Sequence, residues 1–222
     1  MDYVFHFQSI WNSKALFLSG ALVTLQLALL AMLFGTVLGI IGAVARNSHL
    51  RAARAVSSAA VEVLRNTPLL VQLYIWYFGL GVIGIDVPPY WSVVIALGVN
   101  NGGYLTEIIR AGIEAIKTQQ IKAGISLGMS GFQVFRYIII MPAIAIVFPA
   151  VSNQFVISVL MSALAMIIGV QDLTYQAVYL QAHTFRSIET YIVVIIVYIL
   201  LSKAIVLFAE YVDRKLFKYK YI

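Results

Sequence analysis

Four charged residues, Glu107, Arg110, Glu114 and Lys117, recur at i, i+3, i+7 and i+10, which is one face of a helix, with signs alternating so that neighbours can pair. Such a row is either an ion-paired ladder that lets a helix leave an apolar phase or a gate on a solute path; Glu62 and Arg65 repeat the spacing. A second set of polar residues lies near the middle of apolar runs: Gln72, Asn100, Asn101, Asn153, Gln154, Ser158 and Ser162. Unpaired polar groups are costly in lipid, so these side chains, with Glu107, are expected to face a bundle interior, a partner subunit or a water-filled path. Interhelical hydrogen bonding and contact with a polar solute both account for them. Covalent chemistry is not indicated. His6, His49 and His183 are far apart and no pair has a ligand spacing such as H-x-x-x-H, so no metal site is predicted. Cysteine is absent, which excludes a thiolate site or a disulfide framework.

The elements that position these residues follow from composition. Of 222 residues, 62% are hydrophobic and 11% charged, too apolar for a soluble core of ordinary composition. A bilayer is the natural solvent. The net charge of +6 does not mark a nucleic-acid partner, because the Lys and Arg residues fall between and after apolar runs. Ala43-Val44-Ala45 resembles a cleavage site, but the apolar stretch before it exceeds a secretory h-region of about 7 to 15 residues, and the N-terminus reads as mature protein.

A helix needs about 20 apolar residues to cross the hydrocarbon. Five spans are expected, at roughly 15–45, 55–83, 89–117, 135–165 and 188–212, forming a single all-α membrane domain with no soluble domain attached. Thr67-Pro68 marks a kink or helix start in the second span. Arg46, Arg51 and Arg54, then Lys122 and Arg136 with Lys117, then Arg214, Lys215, Lys218 and Lys220 occupy alternate connections. By the positive-inside rule that side is the cytoplasm, placing the C-terminus inside and the N-terminus, with Asp2 and Lys14, outside. The outer side also holds the short connection with Asp86 and the Gln171 to Glu189 loop. Tyr90-Trp91 and Tyr219 with Tyr221 fit interfacial belts, and Gly35-x-x-x-Gly39 permits close helix packing.

The cytoplasmic connection, 118–134, reads as a short helix, a turn, and a second amphipathic start, with Gly128 as the left-handed residue ending the first helix. Lys122-Ala123-Gly124, Gly128 and, further on, Met141-Pro142 resemble the coupling-loop signature of ABC importer permeases, whose pattern is Glu-Ala-Ala, a glycine and a Leu-Pro. A Lys replaces the acid, a Gly replaces one Ala, and the distance from Gly128 to Pro142 is one residue longer than the pattern. Arg65-Asn66-Thr67-Pro68-Leu69-Leu70-Val71-Gln72-Leu73 resembles the Arg-Gly-Thr-Pro-Leu-x-x-Gln-Leu stretch of the polar amino acid subfamily, which takes up histidine, glutamate, glutamine, arginine and opines. Tyr104 to Ile113 resembles its Tyr-x-x-Glu-x-x-Arg-x-Gly-Ile stretch, and Phe148 to Asn153 extends the match.

The resemblance implies the type I importer fold and a multi-pass place in the bacterial cytoplasmic (inner) membrane. It implies four kinds of partner: a second permease subunit, identical or paralogous, two ABC ATPase subunits, an external or periplasmic solute-binding protein, and an amino acid substrate. ATP and Mg would be used by the ATPases, with no cofactor on this chain, which lacks G-x-x-x-x-G-K-[ST]. In the coupling loop, Gln120, Lys122, Ala123, Gly128, Met129 and Ser130 are the residues expected to dock on an ATPase. At Leu160-Met161-Ser162-Ala163-Leu164, several relatives carry a Lys and a further polar group, so this chain is either the non-binding half of a heterodimer or serves a different solute. Competing classes are a permease for another small solute such as an opine, a secondary carrier, a membrane enzyme, and an exporter or assembly subunit. A carrier would need intramembrane acids, for which Glu107 is the one candidate, and a repeat, which is not visible; an enzyme would need a convergent nucleophile, metal or acid pair.

Overall fold

The computed structural model describes residues 4–116 and 118–217; Asp2, Lys117, Lys218, Tyr219, Lys220 and Tyr221 lie outside the described residues. Every regular element among the described residues is helical. In chain order these are α1 (Gln8–Asn12), α2 (Lys14–Arg46), α3 (Arg51–Asn66), α4 (Leu69–Val82), α5 (Pro89–Glu114), α6 (Thr118–Ser126), α7 (Gly131–Ile168), α8 (Leu173–Thr184) and α9 (Ser187–Leu216). Helices α2, α7 and α9 are long and apolar enough to cross a membrane. Helix α5 is long as well but carries Asn100 and Asn101 at its centre.

Local chemistry sets the helix ends. Between α3 and α4 the chain turns extended at Thr67 and Pro68, so of the kink or helix start expected there the structure has the helix start, with Pro68 the N-cap of α4. Pro68 also lacks the N–H that would bond the Leu64 carbonyl one turn earlier. The Asn100 amide donates to that carbonyl instead, at 3.1 Å, and the Thr67 hydroxyl donates to Val63 O at 2.7 Å. Pro89 opens α5, where a missing N–H costs nothing. Gly169, at φ 80°, ends the 3₁₀ turn that closes α7. The 171–189 connection, read from sequence as a loop, holds the 12-residue helix α8.

The chain divides into two compact units, and α2, α5, α7 and α9 contribute residues to both. The first comprises Met1–Leu33, Pro68–Gly98 and Phe155–Ile205. One of its apolar clusters gathers Leu27, Leu73, Val93, Val94, Ala165 and Ile168, and the other Ile10, Phe17, Leu173, Ala177, Leu180 and Val194. Beside the second cluster runs a buried polar set. Gly20 lets the backbone at Leu173 approach α2 so closely that an added Cβ would lie 2.8 Å from Leu173 Cα. That approach brings the Leu173 N–H to the Thr24 hydroxyl at 3.2 Å. Asp172 caps α8 by accepting from the Tyr175 N–H at 2.9 Å, and the Thr174 and Tyr198 hydroxyls bond at 2.7 Å.

The second unit, Phe34–Thr67, Val99–Gln154 and Val206–Ile222, is assembled at glycines. Gly39 meets Leu105 and Thr106 of α5, Gly42 meets Thr106, and Gly102 of α5 meets Leu38 of α2. Gly112 of α5 faces Val147 and Ala143 of α7. Between helices already dissolved in lipid there is no hydrophobic drive to associate, so contact depends on backbones coming close, which small residues allow.

Two outcomes follow from these contacts. Gly39→Val places its Cβ about 2.7 Å from Leu105 Cβ and against α5 backbone, and should destabilise the protein by ~1–3 kcal/mol in detergent thermal unfolding. Asp172 is fully buried, and desolvation pushes its carboxyl up to about 6 against the opposing N–H bonds of Tyr175 and Thr174. Its folded pKa exceeds the unfolded value, so the fold binds the proton more tightly and stability falls as pH rises from about 4 to about 6. Asp172→Asn keeps an N-cap acceptor without charge; it should raise the melting temperature at pH 7.5 and leave it nearly unchanged at pH 4.

Candidate functional site

The polar residues singled out in the sequence fall into distinct settings. In the second unit, Asn101 and Gln154 are buried together, the Gln154 amide donating to Asn101 Oδ1 at 2.9 Å. Asn100, next in sequence to Asn101, points elsewhere and satisfies the Leu64 carbonyl, while the Tyr104 hydroxyl donates to Arg65 O at 3.4 Å. Successive helical residues lie about 100° apart, so Gln154 is buried and Asn153 exposed. Asn153 lines an open groove of about 460 Å³ with Ser152, Phe148, Glu210, Asp213 and Arg214. In the first unit, Gln72, Ser158 and Ser162 are all buried, and the Ser162 hydroxyl donates to Val159 O at 2.8 Å. Each of these three sits in an apolar helix where a polar atom is affordable only with a partner.

Glu107 is the centre of an ion-pair chain. It binds Arg46 at the end of α2 and Arg110 on its own helix at 3.0 Å, and Arg110 continues to Glu114 at 2.5 Å. The alternating row of α5 is thus a paired ladder over Glu107, Arg110 and Glu114, with Lys117 outside the described residues. Arg46 was counted from sequence as a topology charge; its role as a partner of Glu107 carries no local signal, since 61 residues separate them. Among the described residues Glu62 and Arg65 do not form the pair their spacing allows. Arg65 lies instead over the Tyr104 ring, 5.4 Å from its centre.

The turn between α6 and α7 is held by local bonds. Gly128 has φ 80°, the left-handed conformation expected of it. The Met129 N–H bonds Gly124 O at 3.1 Å and the Gly128 N–H bonds Ile125 O at 3.0 Å, the double closure of a Schellman turn. Ser130 then starts α7 with a capping box: the Gln133 N–H reaches Ser130 Oγ, and the Ser130 N–H reaches Gln133 Oε1 at 2.8 Å. Gly124 is buried against Ile138, Met129 and Val134, and a Cβ there would strike the Ile138 side chain. An alanine there would be admitted only if the end of the Ile138 side chain moved aside. Gln120, Lys122, Ala123, Gly128 and Ser130 are exposed and Met129 half-buried.

The stretch between Gly128 and Pro142, longer by one residue than the pattern it resembles, contains an irregular turn. Residues Val134–Ile140 form a π-helical turn within α7. A π turn is one residue inserted into an α-helix, with the helix on either side kept in register. The turn lies between Gly128 and Pro142, where a residue added to the pattern would be absorbed, and nothing in the hydrophobic pattern announces it.

Long apolar helices with polar side chains buried among them define a multi-pass membrane protein. The chain belongs to the family described as binding-protein-dependent transport system inner membrane component, whose sequence model matches residues 35–218. It is 30% identical over 214 residues to the glutamine transport system permease protein of Escherichia coli (strain K12), covering 96% of this chain and 98% of that one. It is 31% identical over 200 residues to the arginine transport system permease protein of Bacillus subtilis (strain 168), covering 90% and 91%. Among solved structures, it matches an amino acid ABC transporter crystallised with histidines at a TM-score of 0.89 and 37% identity, over 96% of this chain and 100% of that one. The inward-facing MetNI methionine ABC transporter shares the fold, with a TM-score of 0.75 at 18% identity over 92% and 98% of the two chains. The type I ABC importer permease fold and the membrane location follow, and the chain is a transport subunit rather than a catalyst.

If the π turn holds the inserted residue, deleting Tyr137, an exposed residue within it, should convert the turn to α-helix and leave the melting temperature within a few degrees of native. Deleting Ile144 from the α-helical part of α7 should rotate one side of the helix by about 100° against the other and abolish the Gly112 contact with Val147. Membrane yield and thermal unfolding read both; equal damage from the two deletions would refute the assignment.

Proposed function

We propose that this chain lines the translocation path of an ATP-driven importer for polar amino acids. It would pair with a second permease subunit, two ATPase subunits and an external binding protein. Helix α6 and its Schellman turn carry the reading: an exposed helical corner, closed by its own backbone bonds, whose residues resemble the coupling pattern apart from Lys122, Gly124 and Met141, joined at both ends to long helices. Closure of the ATPases on ATP and Mg would push α6. The push would pass to α7 through Gly124 and Ile138, from α7 to α5 through Val147 and Gly112, and from α5 to α2 through Gly39, Gly42 and the Arg46–Glu107 pair. Tightly packed contacts of this kind shift as bodies rather than deform.

Amino acid specificity is supported by relatives named for glutamine and arginine transport and by the Arg65 to Leu73 and Tyr104 to Ile113 stretches. The buried residues Gln72, Asn101, Gln154, Ser158 and Ser162, with Asn100, Glu107 and Asn153, are the positions at which solute contact is to be sought. A secondary carrier is disfavoured because Glu107 is already held by two arginines, which leaves the intramembrane acid committed.

The test is ATPase activity of the complete reconstituted complex with its binding protein, screened over acidic, basic and neutral amino acids and opines. One polar amino acid should stimulate hydrolysis several-fold over the others. Stimulation by a different solute class alone would overturn the substrate, and uptake driven by an ion gradient without ATP would overturn the importer.

A further inference from the structure

The corner between α6 and α7 carries more exposed apolar surface than a connector needs. Leu127 is 83% exposed and Phe132 71%, and Ile125 and Phe135 are exposed beside them. They flank a turn closed by the Gly124, Ile125 and Ser130 bonds, so these side chains project from a fixed backbone. A rigid presentation lowers the ordering cost of docking.

The charge around them has one sign. From Thr118 to Arg136 the sequence contains Lys122 and Arg136 and no Asp or Glu. Lys122 is exposed on α6 and forms no ion pair among the described residues, while the nearest preceding acid, Glu114, is bonded to Arg110. Arg136 lies over the Tyr137 ring, 5.9 Å from its centre. Apolar knobs beside an unpaired lysine call for a groove with an apolar floor and a negative rim, because a like charge opposite a rim residue disfavours the pairing. In the permease pattern this chain resembles, the place of Lys122 is acidic. A groove suited to that acid is therefore of the wrong sign for this chain.

We propose that the ATPase subunit serving this permease presents an Asp or Glu side chain to Lys122, a charge-inverted docking contact that restricts the permease to its own ATPase. The proposal rests on α6 being the coupling helix. The competing account is that Lys122 is only a solvated charge on the exposed face of α6, which would choose no partner.

A carbodiimide distinguishes them. It activates a carboxyl group, which a neighbouring lysine amine then attacks, forming an amide while the carbodiimide leaves as a urea. Applied to the complex of the full-length permease with its co-expressed ATPase, it should yield a peptide joining Lys122 to an ATPase Asp or Glu. That product should vanish in Lys122→Arg, which keeps the charge and the complex but lacks the coupling amine. Lys122→Glu should lower the ATPase retained on the affinity-purified permease by about tenfold or more at low salt, and changing the cross-linked ATPase acid to lysine should restore it. Thermal unfolding of each variant separates misfolding from lost docking, and the cross-link to native protein stands whichever variant fails to fold. Cross-links confined to other lysines, or undiminished ATPase retention by a folded Lys122→Glu, would overturn the proposal. A native chain that retains no ATPase would overturn the importer reading itself.

Discussion

Close approach of helix backbones at glycines is the constraint on which the second unit depends. Gly39 and Gly42 of α2 and Gly102 and Gly112 of α5 each occupy a position where a Cβ would collide with a neighbouring helix, and one at Gly124 of α6 would displace the end of the Ile138 side chain. In water such contacts would be reinforced by expulsion of solvent from apolar surface; within lipid, helix association depends on van der Waals contact and hydrogen bonds. Both grow only when the helices are near. The same contacts that hold the helices also link them mechanically, which is why Gly124 serves both stability and coupling.

The second demand is that backbone groups be satisfied wherever a helix is interrupted inside an apolar phase. Pro68 creates such an interruption, and two side chains repair it, Asn100 from a different helix and Thr67 from within. This changes how a polar residue in a span is read. Asn100 sits beside Asn101 in sequence, yet one repairs a broken helix and the other is paired with Gln154. Asp172 shows the opposite economy: its cap bond to the Tyr175 N–H is retained although burial disfavours the carboxylate.

Electrostatics in this chain is organised by pairing within the fold and by exposure at the coupling corner. Glu107 holds arginines from two helices and so ties the end of α2 to α5. Lys122, without such a tie, is left for another molecule. Ile138, which packs at Gly124, lies within the π turn Val134–Ile140, so Gly124 and the Gly128 to Pro142 stretch meet in one part of the fold.

By itself the sequence determined the all-helical membrane class, the left-handed Gly128, the Thr67-Pro68 interruption and the pairing tendency of Glu107, Arg110 and Glu114. All of these depend on hydropathy, backbone restriction or neighbours within one turn, and such information is local. Helix α8 was missed because its mixed surface lacks both the length of a span and a clear period. Only the tertiary structure decided that Arg46 reaches Glu107, that Asn100 serves Leu64, that Asn101 meets Gln154, and that Ile138 packs at Gly124. Each joins residues far apart in sequence, where the partner is set by how helices cross and how closely they approach, and no local pattern records that distance.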